Sequence, residues 1–373
     1  MAIVTRTGQT PDNRGTTMQI KTIHRYISLV FAALWVFQAA TGCLIVFRWE
    51  LDDAGVAGSR AAFQAERLGA RLDRLAAEPD MHISSVWSAN DSASRFDIFY
   101  SQAGMDRTLR VDGQGGLLRD RRNDTLSNGN IFDRLSDLHM ALMLGDAGRA
   151  FLGLSGILLL TNIGLGLKLA WPRAGQWLKA LSRPRGKAAV PLLYGWHRTL
   201  GLWMAVPAFI TIFAGVLLAF DDGLESLFKA EIPTPAASAP ASGNAIKPST
   251  ALTAALTPYP GATLSGFSMP DADTPWYKIR LRASGEMPRI WGITTIYISA
   301  HDGRILSNYD ARQAHSPARF MLDTIYPLHT GQIGGGAGRI LQLLIGLWLI
   351  TMIAMGVSLW WMRRRLMKKK IIP

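Results

Sequence analysis

The sequence has a single cysteine, Cys43, among its 373 residues. One cysteine cannot form a disulfide within the chain, so any segment outside a membrane must fold without such a cross-link. Cys43 itself lies within a long apolar run, where we interpret it as a small packing residue. Nucleotide-binding signatures are also lacking, because no G-x-G-x-x-G follows a strand pattern. The chain therefore has no predicted flavin or nicotinamide domain, and any electrons it handles must come from another molecule.

Acidic residues are almost missing from three segments of the chain, 1–25, 168–198 and 363–370. Together these segments hold 17 of the 40 Lys and Arg residues and one of the 27 acidic residues. They flank the ends of long apolar runs, which is the distribution that the positive-inside rule predicts for cytoplasmic segments. The net charge of +13 therefore reflects membrane topology and argues against nucleic-acid binding.

Four apolar runs are each long enough to cross a bilayer. A hydrocarbon core about 30 Å thick requires roughly 20 apolar helical residues. The runs at 26–47, 150–169, 200–220 and 340–361 meet this length and carry almost no charge. We predict four transmembrane helices with both termini in the cytoplasm.

The chain also contains an internal repeat. In the first spans, His24-Arg25 and Gly42 correspond to His197-Arg198 and Gly215 at one constant offset along the chain. In the second spans a slightly larger offset is kept without a gap. At that larger offset Leu138-His139, Gly145 and Gly148-Arg149 correspond to Leu328-His329, Gly335 and Gly338-Arg339. Each half begins inside, so a parallel repeat about an axis along the membrane normal is expected.

The segments between paired spans indicate two small α+β modules on the outer side. Residues 94–118 and 276–306 alternate like strands, with turns at Asp112-Gly113 and Asp302-Gly303. Residues 232–250 are rich in Pro, Ala and Ser, which is typical of a flexible linker. The expected fold class is an α-helical membrane protein: a four-transmembrane-helix bundle from two parallel two-helix repeats, with two such modules.

These predictions divide the chain into nine parts. They are a cytoplasmic N-terminus (1–21), the first span (22–48), the first outer module (49–138), a lead-in with the second span (139–171), a cytoplasmic loop (172–193), the third span (194–220), the outer linker with the second module (221–328), a lead-in with the fourth span (329–362) and a basic cytoplasmic tail (363–373).

Four of the seven histidines occupy equivalent helix ends in the two halves. His24 and His197 open the first spans at the inner side, whereas His139 and His329 precede the second spans at the outer side. A two-fold axis would bring each pair to one depth, where two facing imidazoles can bind the iron of a haem from both sides. Ionisable residues near a membrane interior indicate function, although a single interfacial histidine is more often an anchor. Zinc is less favoured, because no Cys, Asp or Glu completes a four-ligand shell.

Arginines accompany these histidines. Arg25 and Arg198 follow the inner pair directly, and Arg149 and Arg339 lie ten residues beyond the outer pair. A guanidinium can bind a haem propionate through two parallel hydrogen bonds. For Arg25 and Arg198, ordinary positive-inside charge explains their presence equally well.

Three segments carry a resemblance to a known family. They are Gly195-Trp196-His197-Arg198, the segment Tyr326-Pro327-Leu328-His329-Thr330-Gly331 and the turn Ile298-Ser299-Ala300-His301-Asp302-Gly303. With these segments the chain resembles the PepSY-associated transmembrane helix family over nearly its whole length. Within that family it is most similar to ferric-siderophore reductases of the FoxB type, and the outer modules are then PepSY-like and periplasmic.

The resemblance implies a di-haem b-type cytochrome in the bacterial inner membrane. His24, His197, His139 and His329 would be the axial ligands of two b-type haems, and electrons would pass outward to a periplasmic ferric siderophore. The donor would be a membrane quinol or a cytoplasmic reductase. Two other classes remain open: a PepSY-type anchor or regulator without haem, and a transporter, for which the spans carry few polar groups besides Thr161 and Asn162.

Overall fold

A computed structural model describes residues 13–90, 92–123, 131–236, 246–313 and 316–371. The chain divides into two compact units. One, the helical unit, comprises residues 1–43, 139–219 and 341–373. The other, the sheet unit, comprises residues 44–138 and 220–340.

Long apolar helices build the helical unit. They are α1 (Asn13–Ile45), α5 (Gly145–Ala170), α7 (Ala189–Ala219) and α11 (Gly335–Ile371). Each coincides largely with a candidate membrane span, at Gly15–Ile45, Gly145–Ala170, Ala189–Ala219 and Gln332–Met367. Many of their large apolar side chains are exposed, as expected for surfaces that face lipid. The four predicted spans are therefore confirmed. The helices are longer than the apolar runs, because polar residues at their ends are also helical.

The two halves pass through the same elements in the same order. After α1 come α2 (Arg48–Ala54), α3 (Ala65–Ala76), four strands, α4 (Ile131–Ala141) and α5. After α7 come α8 (Asp221–Leu227), α9 (Pro248–Leu256), four strands, α10 (Pro317–His329) and α11. The short helix α6 (Trp177–Leu181) lies between the halves. The first residues of α2 and α8 correspond at the same offset as His24 and His197, so the repeat continues beyond the first spans.

The sheet unit contains one antiparallel sheet of eight strands. Strands of the first half are β1 (Met81–Ser88), β2 (Arg95–Gln102), β3 (Met105–Asp112) and β4 (Leu117–Arg122). Strands of the second half are β5 (Thr263–Ser268), β6 (Trp276–Arg282), β7 (Thr294–Ser299) and β8 (Ile305–Tyr309). Their order is β4-β3-β2-β1-β5-β6-β7-β8.

This sheet corrects the prediction of two separate modules. Strands β1 and β5 pair at its centre, with Trp87 opposite Gly266 and Ser85 opposite Ser268. In separate modules both strands would be open edges with unpaired backbone groups, and pairing them with each other satisfies those groups. The predicted turns are confirmed, since Asp112 Oδ1 accepts hydrogen bonds from the backbone N–H groups of Gln114 and Gly116, and Gly303 adopts a φ of +74°.

Helices α3 and α9 cover one face of the sheet and share its hydrophobic core. Fully buried side chains come from both halves of the chain, including Leu68, Phe96, Phe267 and Ile279. Ser249 at the start of α9 donates from its N–H and its hydroxyl to the Asp73 carboxylate of α3, at 2.9 and 2.6 Å. The halves of the sheet unit are thus joined by a common sheet and a common core.

The predicted linker at 232–250 is partly corrected. Residues 237–245 lie outside the described residues, whereas 248–250 already form the first turn of α9. Pro248 occupies the first helical position, where its missing N–H group and fixed φ are well tolerated.

Candidate functional site

His24 lies in α1 and contacts α5. Its Nδ1 lies 3.1 Å from the carbonyl oxygen of Asn162. Because a carbonyl oxygen can only accept, Nδ1 must be the donor in this hydrogen bond. The ring also lies over Gly166, where an added Cβ would be 3.1 Å from His24 Cε1. A glycine therefore allows the imidazole to approach the backbone of α5.

His197 of α7 has an equivalent neighbourhood on α11. An added Cβ at Gly356 would lie 3.7 Å from His197 Cε1. The backbone of Met352 is close enough to interact with the ring, but Nδ1 is buried and no hydrogen bond meets the usual distance and angle limits. His24 and His197 are also close enough to each other to interact electrostatically.

The repeat reproduces these contacts residue by residue. Asn162 corresponds to Met352, and Gly166 to Gly356, at the offset that the sequence predicts for the second spans. In each half the carbonyl group and the glycine are four residues apart, on one face of the same helix. The predicted inner pair thus occupies one structural setting twice.

His139, near the end of α4, has a similar setting on α1. Its Nδ1 lies 3.1 Å from the carbonyl oxygen of Gln38 and 3.1 Å from Thr41 Oγ1. An added Cβ at Gly42 would be 3.0 Å from His139 Cε1. Gln38 and Gly42 are again four residues apart. Three of the four predicted ligands therefore lie beside a backbone carbonyl group with a glycine under the ring.

This arrangement prepares an imidazole for metal binding. When Nδ1–H donates to a carbonyl group, Nε2 keeps its lone pair, and the ring orientation is held. Among the described residues no group of three or more His, Cys, Asp or Glu side chains converges. Two histidines supply only axial ligands, and a porphyrin supplies the equatorial nitrogens of a haem iron. The donor set and the glycine contacts therefore fit a haem.

His329 is the last residue of α10 and belongs to the sheet unit, whereas His139 belongs to the helical unit. A tight turn follows each of these histidines. Gly331 has a φ of +77°, and an added Cβ at Gly338 would lie 2.2 Å from the Gly331 carbonyl oxygen. In the first half an added Cβ at Gly148 would lie 1.8 Å from the Ala141 carbonyl oxygen. Close backbone approach thus explains why both halves carry a glycine at this position, and the pairing of His139 with His329 stays a prediction.

The arginines differ in their contacts. Arg25 is exposed and lies 5.0 Å from the centre of the Tyr26 ring. Arg198 Nε donates to the carbonyl oxygen of Ala170, the last residue of α5, at 3.0 Å. Such a contact stabilises a helix C-terminus.

Arg149 and Arg339 both contact acidic residues. Arg149 lies 3.5 Å from Asp146, and Arg339 forms an ion pair with Glu50 and donates to the Val46 carbonyl oxygen at 2.6 Å. Burial acts to raise the pKa of Glu50, but hydrogen bonds and charge from Arg339 outweigh it and leave this pKa below its usual value. The role of all four arginines toward propionates stays a prediction.

The sequence did not point to Gln38, Thr41, Gly166, Met352 or Gly356 as neighbours of the histidines. A usable signal existed, because a glycine recurs at equivalent positions of both halves. Asn162 also forms an interhelical hydrogen bond, in which its Nδ2 group donates to Ser28 Oγ of α1 at 2.8 Å.

Comparison with known protein families matches residues 21–363 to the PepSY-associated TM region. No curated protein matches the chain. The matched region covers all four candidate spans nearly completely and includes every histidine discussed above. With its four apolar helices, the chain is a multi-pass membrane protein that belongs to the PepSY-associated transmembrane family.

Proposed function

We propose that the chain is an inner-membrane di-haem b-type cytochrome that passes electrons to a periplasmic ferric siderophore. The observation that carries this proposal is the setting shared by His24, His139 and His197: a backbone carbonyl group beside the imidazole, which in His24 and His139 lies at Nδ1, and a glycine under the ring. Structural histidines have no common reason to share both features, whereas axial ligands need both a fixed ring and room beside it.

His24 and His197 would hold the inner haem. The carbonyl group of Asn162 fixes the tautomer of His24, and Gly166 and Gly356 leave space beside both rings. When bound, a haem supplies an iron centre that takes up and releases one electron. Beyond His197, the apolar side chains of Ala208, Ile345 and Trp348 form a buried cluster on α7 and α11.

His139 and His329 would hold the outer haem, by the symmetry of the sequence repeat. Arg149 and Arg339 are the candidate propionate partners at this level, and Arg25 and Arg198 at the inner level. Both termini would lie in the cytoplasm, and the sheet unit would lie in the periplasm, in accordance with the basic flanking segments.

The net reaction moves electrons from a donor to iron. Two transfers oxidise one quinol to a quinone with release of two protons, and each transfer reduces one chelated Fe(III) to Fe(II). A siderophore holds Fe(II) far more weakly than Fe(III), so reduction releases the metal. A cytoplasmic reductase could replace the quinol as the donor.

Absorption spectra of the purified protein test the proposal. In detergent, the oxidised and dithionite-reduced forms should show the bands of a six-coordinate b-type haem, with two haems per chain. His24→Ala or His197→Ala should each halve the haem content, and His139→Ala or His329→Ala should remove the other half. A double variant with one change from each pair should be colourless.

A matched control uses histidines outside these pairs. His82→Ala and His301→Ala alter exposed side chains of the sheet unit and should leave two haems. A colourless wild-type protein would refute the proposal. Loss of equal haem from the control variants would show that the assay reports general damage and would remove the support for specific ligands.

A further inference from the structure

Among the half-buried arginines of the sheet unit that have no carboxylate partner in the described residues, Arg48, Arg280 and Arg289 also lie against aromatic rings. In the part of the chain that the structure describes, Arg48 donates only to the Ser136 hydroxyl, and the guanidinium groups of Arg280 and Arg289 form no hydrogen bond or ion pair with the protein. The Nε atoms of Arg280 and Arg289 are fully buried.

Other buried arginines of the same unit are paired. Arg95 binds Asp53 at 2.7 Å, Arg110 binds Asp97 at 2.6 Å and Arg319 binds Asp323 at 2.7 Å. Breaking a buried pair usually costs about 3–5 kcal/mol, because one charge is left without a counter-ion. The guanidinium groups of Arg48, Arg280 and Arg289 lack such a carboxylate and lie together at aromatic rings, which indicates that their counter-ion comes from outside the chain.

The two halves of the sheet differ in whether a central arginine is paired with a carboxylate. Across its centre, Asp97, Trp87, Gly266 and Arg280 occupy neighbouring positions on β2, β1, β5 and β6. On one side of Trp87, the Asp97 carboxylate accepts two hydrogen bonds from Arg110. On the other side, the ring lies over Gly266, and the next strand presents Arg280 with no acidic neighbour in ion-pair distance.

Aromatic side chains connect the three arginines. Trp291 lies 5.0 Å from Trp49 and 5.5 Å from Trp87 between ring centres, in edge-to-face arrangements. The guanidinium carbons lie close to these rings and to Tyr326: Arg48 is 3.8 Å from Trp49, Arg280 is 6.0 Å from Trp87, and Arg289 is 4.8 Å from Tyr326. We call these seven residues the arginine–aromatic cluster.

The loop that carries Arg289 and Trp291 is held in place before any ligand arrives. The Glu286 carboxylate accepts hydrogen bonds from the backbone N–H groups of Ala283, Ile293 and Thr294. Gln332 Oε1 accepts from the Ile290 N–H group at 2.7 Å. A preorganised loop reduces the entropy lost on binding, as a binding site requires.

Burial lowers the pKa of Arg48, Arg280 and Arg289 from the ordinary value, and the charge of Arg280 lowers that of Arg289 further. Asp133 and Asp52 act on Arg48, and Asp323 and Glu286 act on Arg280 and Arg289, but none of these carboxylates lies within ion-pair distance. For Arg110, by contrast, burial acts to lower the pKa but contacts with Asp97 and Asp52 raise it overall. The cluster is therefore short of negative charge.

We propose that the arginine–aromatic cluster binds an anionic, aromatic iron chelate of the tris(catecholate) class. The vicinal oxygens of a catecholate match the paired N–H groups of a guanidinium, and its rings can stack against Trp and Tyr faces. Tyr326 lies one turn before His329 on α10, so the chelate would sit beside a predicted axial ligand. Anion binding stands on the cluster alone, and the identification of the anion as an iron chelate rests on the proposed function.

Binding of gallium chelates to the full-length protein in detergent tests this proposal. Gallium(III) is not reduced under these conditions, so binding is measured apart from electron transfer. The probes are gallium tris(catecholate), which carries three negative charges, and the neutral gallium tris(acetohydroxamate). Quenching of tryptophan fluorescence reports the affinity. We expect the catecholate complex to bind at least about tenfold more tightly than the neutral complex, because charge-assisted hydrogen bonds typically contribute about 1.5–3 kcal/mol.

Variants locate the site. The double variant Arg280→Gln/Arg289→Gln should bind the catecholate complex at least about tenfold more weakly than the wild type. The double variant Arg280→Lys/Arg289→Lys keeps both positive charges and should recover part of this affinity. The control is Arg107→Gln, which alters a more exposed guanidinium paired with Asp120 and should leave binding unchanged. If the Gln variant does not fold, the salt dependence of binding to the wild-type protein provides the test. Rising salt concentration should weaken binding of the catecholate complex and leave binding of the hydroxamate complex unaltered.

Four results would overturn the proposal: equal affinity for both probes, wild-type affinity in the Gln variant, catecholate binding insensitive to salt, or loss of haem from the Gln variant with no gallium binding in the wild type. The last result would assign the anionic groups to haem propionates. The two proposals fail separately, because a colourless protein that binds the catecholate complex refutes only the cytochrome, and a di-haem protein that does not bind it refutes only the substrate class.

Discussion

At the scale of single residues, the histidines depend on glycines of neighbouring helices. The contact at Gly166 is tighter than that at Gly356, since an added Cβ would lie 3.1 Å from His24 and 3.7 Å from His197. The first distance requires the ring to move by a few tenths of an ångström, whereas the second is an ordinary van der Waals contact. Two equivalent positions of the repeat thus differ in how much space they leave.

This difference predicts unequal effects of the same substitution. Alanine in place of glycine within a helix usually stabilises it by about 0.5–1 kcal/mol. Gly356→Ala should show this gain in stability with unchanged spectra. Gly166→Ala should gain little stability, and it should shift the electron paramagnetic resonance signal of the proposed inner haem. Thermal unfolding and low-temperature spectra of both variants check this. Identical signals in Gly166→Ala and the wild type would contradict the predicted contact.

Tyr277 provides a test of pH dependence in the sheet unit. Its hydroxyl donates to the Ile246 carbonyl oxygen at 2.6 Å, and burial raises its pKa to about 12. In the unfolded chain this tyrosine ionises near pH 10. Between these values the folded state holds the proton and the unfolded state releases it, so stability from this group falls as pH rises.

Tyr277→Phe should therefore be less sensitive to alkali than the wild type. At pH 8 the variant should be less stable by about 1 kcal/mol, because one hydrogen bond is lost. From pH 10 upward this difference should shrink, since phenylalanine has no proton to release. Melting temperatures measured at a series of pH values test the prediction, and a constant difference up to pH 11.5 would refute it.

At the scale of elements, a buried arginine holds the connection between α2 and α3. The Arg95 side chain is 1% exposed. It binds the Asp53 carboxylate and donates to the carbonyl oxygens of Val56 and Gly58, at 2.9 and 3.0 Å. Residues 55–64 form no helix or strand, so these contacts take the place of regular structure.

Arg95→Gln should release this connection. Removing one partner of a buried ion pair costs about 3–5 kcal/mol, and the freed segment should become a substrate for trypsin at Arg60. Mass spectrometry of limited digests measures cleavage at that site. Arg304→Gln is a suitable control, because its ion pair with Asp302 is largely exposed and such pairs contribute about 1 kcal/mol or less. Equal cleavage rates in the wild type and Arg95→Gln would contradict the proposed anchoring.

The elements also explain which parts of the fold could be predicted from the sequence. Apolar length and charge distribution predict the spans, because the bilayer imposes both. Strands β1 and β5 were missed. Each contains a register shift, between Ile83 and Ser85 in β1 and between Leu264 and Gly266 in β5, and small residues there weaken the alternating pattern. Their mutual pairing joins segments from opposite halves of the chain, which no local pattern can indicate.

The candidate site was predictable to a similar extent. The repeat offsets identified the four histidines, and Gly42 was already visible as a repeated residue. The carbonyl groups of Gln38, Asn162 and Met352 could not be identified, since a backbone group leaves no sequence signal. The arginine–aromatic cluster was missed for another reason, because it assembles from α2, β1, β6, α10 and the loop between β6 and β7.

At the scale of the whole molecule, the sheet unit should unfold as one cooperative body, because both halves share its sheet and core. Phe267 of β5 is fully buried in that core, and Phe267→Ala should cost about 3–5 kcal/mol. Hydrogen exchange should then quicken in β2 and β6 alike, since opening either half exposes the shared core. Leu117→Ala, at an exposed position of β4, should leave exchange unchanged in both strands. Faster exchange confined to β5–β8 would instead mean that the halves are independent modules, as the sequence pattern alone suggests, and that the pairing of β1 with β5 contributes little to stability.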